Sequence, residues 1–154
     1  MNSAFIVRGV SAGCRREGGA FVIMAGQRGP QGRPGTDAGG GIQTIVRSAG
    51  QDTSALRIVY ERFGKVYPVD PSTRSVFQAL GLTLTGSSED AEITIQTQGY
   101  VDDQAWSWTE GIVWCGPNGV LTQVPPTTGW DFVVGFATSP TRLYIDLNVP
   151  VLLA

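Results

Sequence analysis

The sequence predicts a mainly β fold: a compact antiparallel β-sandwich or barrel with one short helix, preceded by an extended glycine-rich stalk. Three observations predict it. First, Arg142–Val149 alternates, with Leu143, Ile145, Leu147 and Val149 on one side and polar residues and Tyr144 on the other. Period-two alternation of that length marks a half-buried strand. Second, turn signals recur across residues 42–154 about every eight to twelve positions, the spacing of a sandwich or small barrel. Third, glycine occupies positions 26, 29, 32 and 35, with Pro30 and Pro34 between them. Glycine at every third position is the pattern of a collagen-like triple helix, because only glycine fits the axis where three chains meet.

These signals divide the 154 residues into three parts: an arm at 1–25, a stalk or linker at 26–41, and a β-rich body at 42–154. The arm holds two apolar pieces, Phe5-Ile6-Val7 and Phe21-Val22-Ile23-Met24, around a polar, glycine-containing centre. Each piece is strand-like, and a lone hairpin is marginal in water. The arm is therefore expected to dock, through Phe5, Ile6, Val7, Arg8, Arg15 and Arg16, on a partner surface or on its own body. The period of glycines, Gly26, Gly29, Gly32 and Gly35, fails at Ala38 and dissolves into Gly39-Gly40-Gly41. A triple helix this short forms only where neighbouring domains already gather three chains. The alternative is a flexible linker that happens to have a period.

In the body, Leu56–Arg62 and Val66–Val69 are expected strands joined at Phe63-Gly64-Lys65. Asp70 as cap, Pro71 at the first helical position and Gly81 just past the end predict the short helix. Val76, Phe77 and Leu80 would share its inner face. Ala91–Gln98 alternates with Ile93 and Ile95 inward. Asn118-Gly119 is a hairpin signal joining Ile112–Cys115 to Val120–Gln123. Asp131–Ala137 is a more fully apolar strand, and Gly135 within it marks a bulge or a close approach. Gly86–Asp90 and Val124–Gly129 read as loops. The tail Pro150–Ala154 is apolar and is expected to dock on its own core or on a sister chain.

Composition narrows the function. Residues 1–41 carry five arginines against Glu17 and Asp37, whereas 42–154 carry six basic and eleven acidic residues. A basic arm on an acidic body suits docking of the arm on something acidic. The arm lacks a dense basic run and the body would repel phosphate, so no nucleic-acid partner is expected. The chain has no histidine, and Cys14 and Cys115 stand far apart, so no metal site, no cofactor and no Ser-His or Cys-His catalysis is expected. The carboxylate pairs Glu89-Asp90 and Asp102-Asp103 are adjacent in sequence and point apart, unlike a glycosidase pair facing across a cleft. Phe5-Ile6-Val7 stops at Arg8, so neither a secretion signal nor membrane insertion is expected. Trp106 and Trp108 alternate onto one face. With Tyr100 and Trp130 they are the candidate ligand or interface residues: they stack a sugar ring, or they fill the core or a subunit interface.

Three runs carry a resemblance: Gly99–Gly111, then Gly116–Pro126, then Val134–Leu147, with the chain closing on Pro150–Ala154. Together they resemble the small β-module of tailed-bacteriophage virion proteins, of the tail-fibre-like and capsid-decorating kinds, in which a collagen-like stretch often precedes the module. The resemblance implies a structural protein of the virion, assembled in the host cytoplasm, commonly a homotrimer and not an enzyme. Its implied partners are itself, other virion proteins through the arm, and a host surface glycan or receptor.

Overall fold

The computed structural model describes residues 41–154. The docking arm (1–25), the four period-three glycines and Cys14 lie outside the described residues. The fold is mainly β, as expected, and it contains a small closed barrel. The strands are β1 (Gln43–Ala49), β2 (Ile58–Arg62), β3 (Lys65–Pro68), β4 (Ala79–Thr83) and β5 (Glu92–Asp102). They continue with β6 (Gly111–Cys115), β7 (Leu121–Thr122), β8 (Trp130–Asp131), β9 (Val133–Ser139), β10 (Arg142–Ile145) and β11 (Val151–Leu152).

The first five strands close on themselves in the order β1-β3-β2-β4-β5 and back to β1. The closing seams are a parallel pairing of Ser48 and Ala49 with Lys65 and Val66, and a long antiparallel ladder from Gln43 opposite Gln98 to Ser48 opposite Glu92. Closure leaves the ring without a free strand edge. The lumen is filled by Ala49, Val59, Val66, Ile93 and Ile95, with Ile45 and Leu80 packed against them.

β5 is long enough to serve two sheets. Its first part belongs to the barrel. Beyond Gly99 (φ 104°) it pairs with β10, from Gly99 opposite Ile145 to Asp102 opposite Arg142. At this switch the buried Gln96 side chain donates a hydrogen bond to the Tyr100 carbonyl, 3.0 Å. The second sheet then runs β5-β10-β9-β6-β7, all antiparallel. Its inner face, with Val101, Val113, Val134, Ala137, Leu143 and Ile145, packs on the outside of the barrel wall, where Ile58 and Leu82 point. Ile58 and Val59 are both buried for this reason: consecutive residues of β2 point to opposite faces, one into the interlayer core and one into the lumen.

The sequence-based turns form as expected. Phe63 and Gly64 (φ 51° and 78°) and Asn118 and Gly119 (φ 58° and 71°) take the left-handed conformations a tight reversal needs. A Cβ on Gly135 would collide with the Tyr144 carbonyl, and the β9–β6 register shifts at the same place, so Gly135 is both bulge and close approach.

Three expectations need correction. The helix from Asp70 to Gly81 is a 3₁₀ turn over Arg74–Gln78, capped by the Thr73 hydroxyl, and the chain turns into strand β4 at Ala79. Asp70 instead builds the turn before it, accepting from the Ser72 N–H at 2.9 Å and the Ser72 hydroxyl at 2.8 Å. Of the supposed inner face, Val76 is buried, Leu80 lies on the strand, and Phe77 is half exposed against Trp130. The strand from Arg142 ends at Ile145, and Val149 is 80% exposed. The apolar tail does dock on its own body, as a two-stranded ribbon of Val151 and Leu152 with Asp131 and Trp130, but both its paired side chains remain exposed.

Candidate functional site

The outer face of the second sheet is where the molecule departs from the usual pattern. An antiparallel sheet with one packed face normally turns polar residues outward. Here the register sets Ile112 opposite Phe136, Phe136 opposite Tyr144, and Tyr144 opposite Tyr100. Four strands thus contribute one continuous outward row of apolar and aromatic side chains. Ile112 is 45% exposed, Phe136 48% and Tyr100 42%. The Tyr100 and Tyr144 rings meet edge-on at 4.8 Å. Beside the row is a dimple of about 220 Å³ lined by Ile112, Val133, Gly135, Phe136, Tyr144, Asp146 and Asn148.

Polar groups border the row in satisfied pairs. Arg142 donates two hydrogen bonds to Asp102, 2.7 and 2.8 Å, and its guanidinium lies 5.3 Å from the centre of the Tyr100 ring. This fork-to-fork hydrogen bonding holds the Asp102 carboxyl below its usual range and raises Arg142 further. At the other end the Trp114 indole donates to Asp131 at 2.7 Å.

The candidate aromatics therefore do not form one platform. Tyr100 belongs to the outer row. Trp106 and Trp108 follow β5 in a loop, with ring centres 5.5 Å apart, and pack half-buried against the interlayer core. Trp130 packs on the same core from β8, edge-on to Phe77 at 4.8 Å. The indole N–H of Trp108 is buried and has no hydrogen-bond partner among the described residues. The alternation of Trp106 and Trp108 located their shared environment. Phe136, Tyr144 and Ile112 lie on three separate strands, and only cross-strand register gathers them with Tyr100.

The acidic pairs behave as exposed turn and rim groups. Besides Asp102 in its ion pair, Asp103 accepts from the Ala105 N–H at 2.8 Å, and Asp90 pairs with Lys65. Among the described residues no three acidic or sulfur side chains gather as a metal-binding group. Cys115 is buried, and burial, helped by Asp70, pushes its thiol pKa up to about 12, so it stays protonated and unreactive.

Further concavities lie elsewhere. A cleft of about 640 Å³ runs between the Asp70–Ser72 turn and the Val124–Gly129 loop, walled by Pro71, Pro117, Pro125 and Pro126. A depression of about 680 Å³ is lined by Tyr60, Arg62, Arg74 and Phe77 with small polar residues. In the first, the Ser72 hydroxyl donates to the Asp70 carboxylate at 2.8 Å, and the walls offer apolar contact and hydrogen bonding. Among the described residues no helix is long and apolar enough to cross a membrane. In comparisons with known proteins, no family model, curated protein or solved structure matches the chain.

Proposed function

We propose that the protein is a structural component of a tailed-bacteriophage virion: a homotrimeric appendage, held on the particle by residues 1–25 and projecting the β body as a tail-fibre, tail-tip or capsid-decorating module. The observation that carries the reading is the joining of two features. A glycine period of three, Gly26–Gly35, matches the pattern of a three-chain helix, and it leads within six residues into a folded β body. No catalytic residue or cofactor has a part in this function. The test is to purify particles from infected host cells, label this protein and image it. Labels at discrete sites on the particle, with a trimer mass for the purified chain by light scattering, are the expected result. Particles that lack the protein overturn the reading.

A second reading, a receptor- or carbohydrate-binding module for host attachment, draws on the exposed rings of Tyr100 and Phe136 and the half-buried Trp106–Trp108 pair. Aromatic faces stack on sugar rings as readily as on each other. Under this reading Tyr100→Ala and Trp106→Ala abolish adsorption to host cells while assembly is intact.

A further inference from the structure

We infer that the outward row Ile112–Phe136–Tyr144–Tyr100 is where the bodies of neighbouring copies of this chain meet. The inference rests on the trimer reading and names the surface that makes the trimer.

Three observations carry it. The first is the composition of the face. The second sheet carries an apolar row on its outer side, and its inner side is already packed on the barrel. An outer row of one Ile, one Phe and two Tyr side chains on four adjacent strands is the make-up of an interface centre, and the neutralised Asp102–Arg142 pair beside it is the make-up of a rim. Arg142 and Asp102 satisfy one another, so neither leaves an unpaired charge at that border.

The second observation is where the chain outside the described residues ends. Residue 41 lies against Gly99, one position before Tyr100, so the preceding segment reaches the body beside the first member of the row. The six steps from Gly35 to Gly41 span at most about 20 Å, at roughly 3.3–3.6 Å per residue. Strands about 4.8 Å apart put the far member, Ile112, only about 15 Å across the sheet from Tyr100. A tether of that length lets three chains joined at the glycine run bring such rows together.

The third observation is stoichiometric. The occupant of the face is a second copy because, under the trimer reading, the glycine period pairs like chains, and tethering them raises their local concentration to the millimolar range. A sugar polymer is the competing occupant, and the experiment separates the two.

The measurement is sedimentation velocity of the full chain, wild type against Phe136→Arg, with Phe63→Arg as control. Phe63 is 90% exposed in the β2–β3 turn and is no part of the row. A buried arginine at an interface centre weakens association roughly a hundredfold. The expected result is a trimer for wild type and Phe63→Arg and a monomer for Phe136→Arg, all with the same far-ultraviolet circular dichroism, the monomer melting lower because it lacks the stabilisation of assembly. A wild-type trimer that persists in Phe136→Arg overturns the inference and leaves the trimer reading standing. If that variant also loses binding to host polysaccharide, the occupant is the sugar. A wild-type monomer at tens of micromolar overturns the trimer reading itself. Should Phe136→Arg fail to fold, a photoreactive benzoyl-phenylalanine at position 136 keeps an aromatic ring there. Illumination is expected to yield adducts between chains, and their absence overturns the inference.

Discussion

At the scale of single residues, the most informative group is the Trp108 indole, a buried donor with no partner among the described residues. Leaving such a donor unmade costs about 1–3 kcal/mol. Trp108→Phe removes the donor while keeping most of the ring, so its thermal stability is expected within about 1 kcal/mol of wild type. Trp108→Ala also empties the packing site and is expected to cost about 3–5 kcal/mol. Thermal denaturation of the two variants side by side separates the contributions. If Trp108→Phe is as damaging as Trp108→Ala, the indole N–H is paired and its role is different. The Asp102–Arg142 pair makes a pH prediction. Asp102 is depressed, so the pair's stabilisation is present above the ordinary Asp pKa and is lost as pH falls through the depressed one. Both side chains are half exposed, so the effect is small. The melting temperature of Asp102→Asn is expected below that of wild type at pH 7, and the difference is expected to vanish toward pH 2. Cys115 supplies a third outcome. In a Cys14→Ser background it is expected to resist a thiol reagent at pH 8 and to react at once in denaturant, since its thiol stays protonated when buried.

At the scale of elements, what was readable in the sequence was local. Ile93 and Ile95 are buried because a strand's period of two sends both to the lumen. Asn118-Gly119 and Phe63-Gly64 turn where they were expected because a tight reversal demands left-handed backbone there. The helix expected from Asp70 to Gly81 is cut to a 3₁₀ turn at Arg74–Gln78 for a tertiary reason. Its cap and proline signals are real, but Ala79–Thr83 completes the barrel between β2 and β5, and that pairing outweighs helix propensity. Closure itself was not legible, since the parallel seam of β1 with β3 joins residues distant in sequence and no local pattern encodes it. The outer row was hidden for the same reason: alternation says which residues share a face, not what lies beside them on other strands or whether that face is covered. The Gly135 site gives the prediction at this scale. Gly135→Ala puts a methyl group into the Tyr144 carbonyl, so β9 and β10 must part, and a loss of about 2–3 kcal/mol in urea denaturation is expected. Gly64→Ala, where a Cβ meets nothing within 4 Å, is expected to cost less, about 1 kcal/mol from its positive φ alone.

At the scale of the whole body, residues 41–154, a closed barrel and an open sheet share one strand and one interlayer core. Under the proposed trimer reading, assembly and spacing belong to different segments. Gly32→Val is expected to disturb the stalk and leave the C-terminal trimer folded, as read by sedimentation and circular dichroism. Loss of the trimer in that variant would move the assembly role from the body to the stalk.

The two ends of the body differ in how they would bear a load. A pull entering at residue 41 acts along β1, which is bonded on both sides, to β5 over a long ladder and to β3 at the parallel seam. Loaded lengthwise, those hydrogen bonds resist together and must break in concert. The C-terminal ribbon offers the short pairing of Val151 and Leu152 with Asp131 and Trp130 and one more hydrogen bond, from the Leu153 N–H to the Gly129 carbonyl. Under tension between the two ends, the tail peels away first and the barrel holds. A body built this way yields first at its C-terminal ribbon while its barrel stays closed.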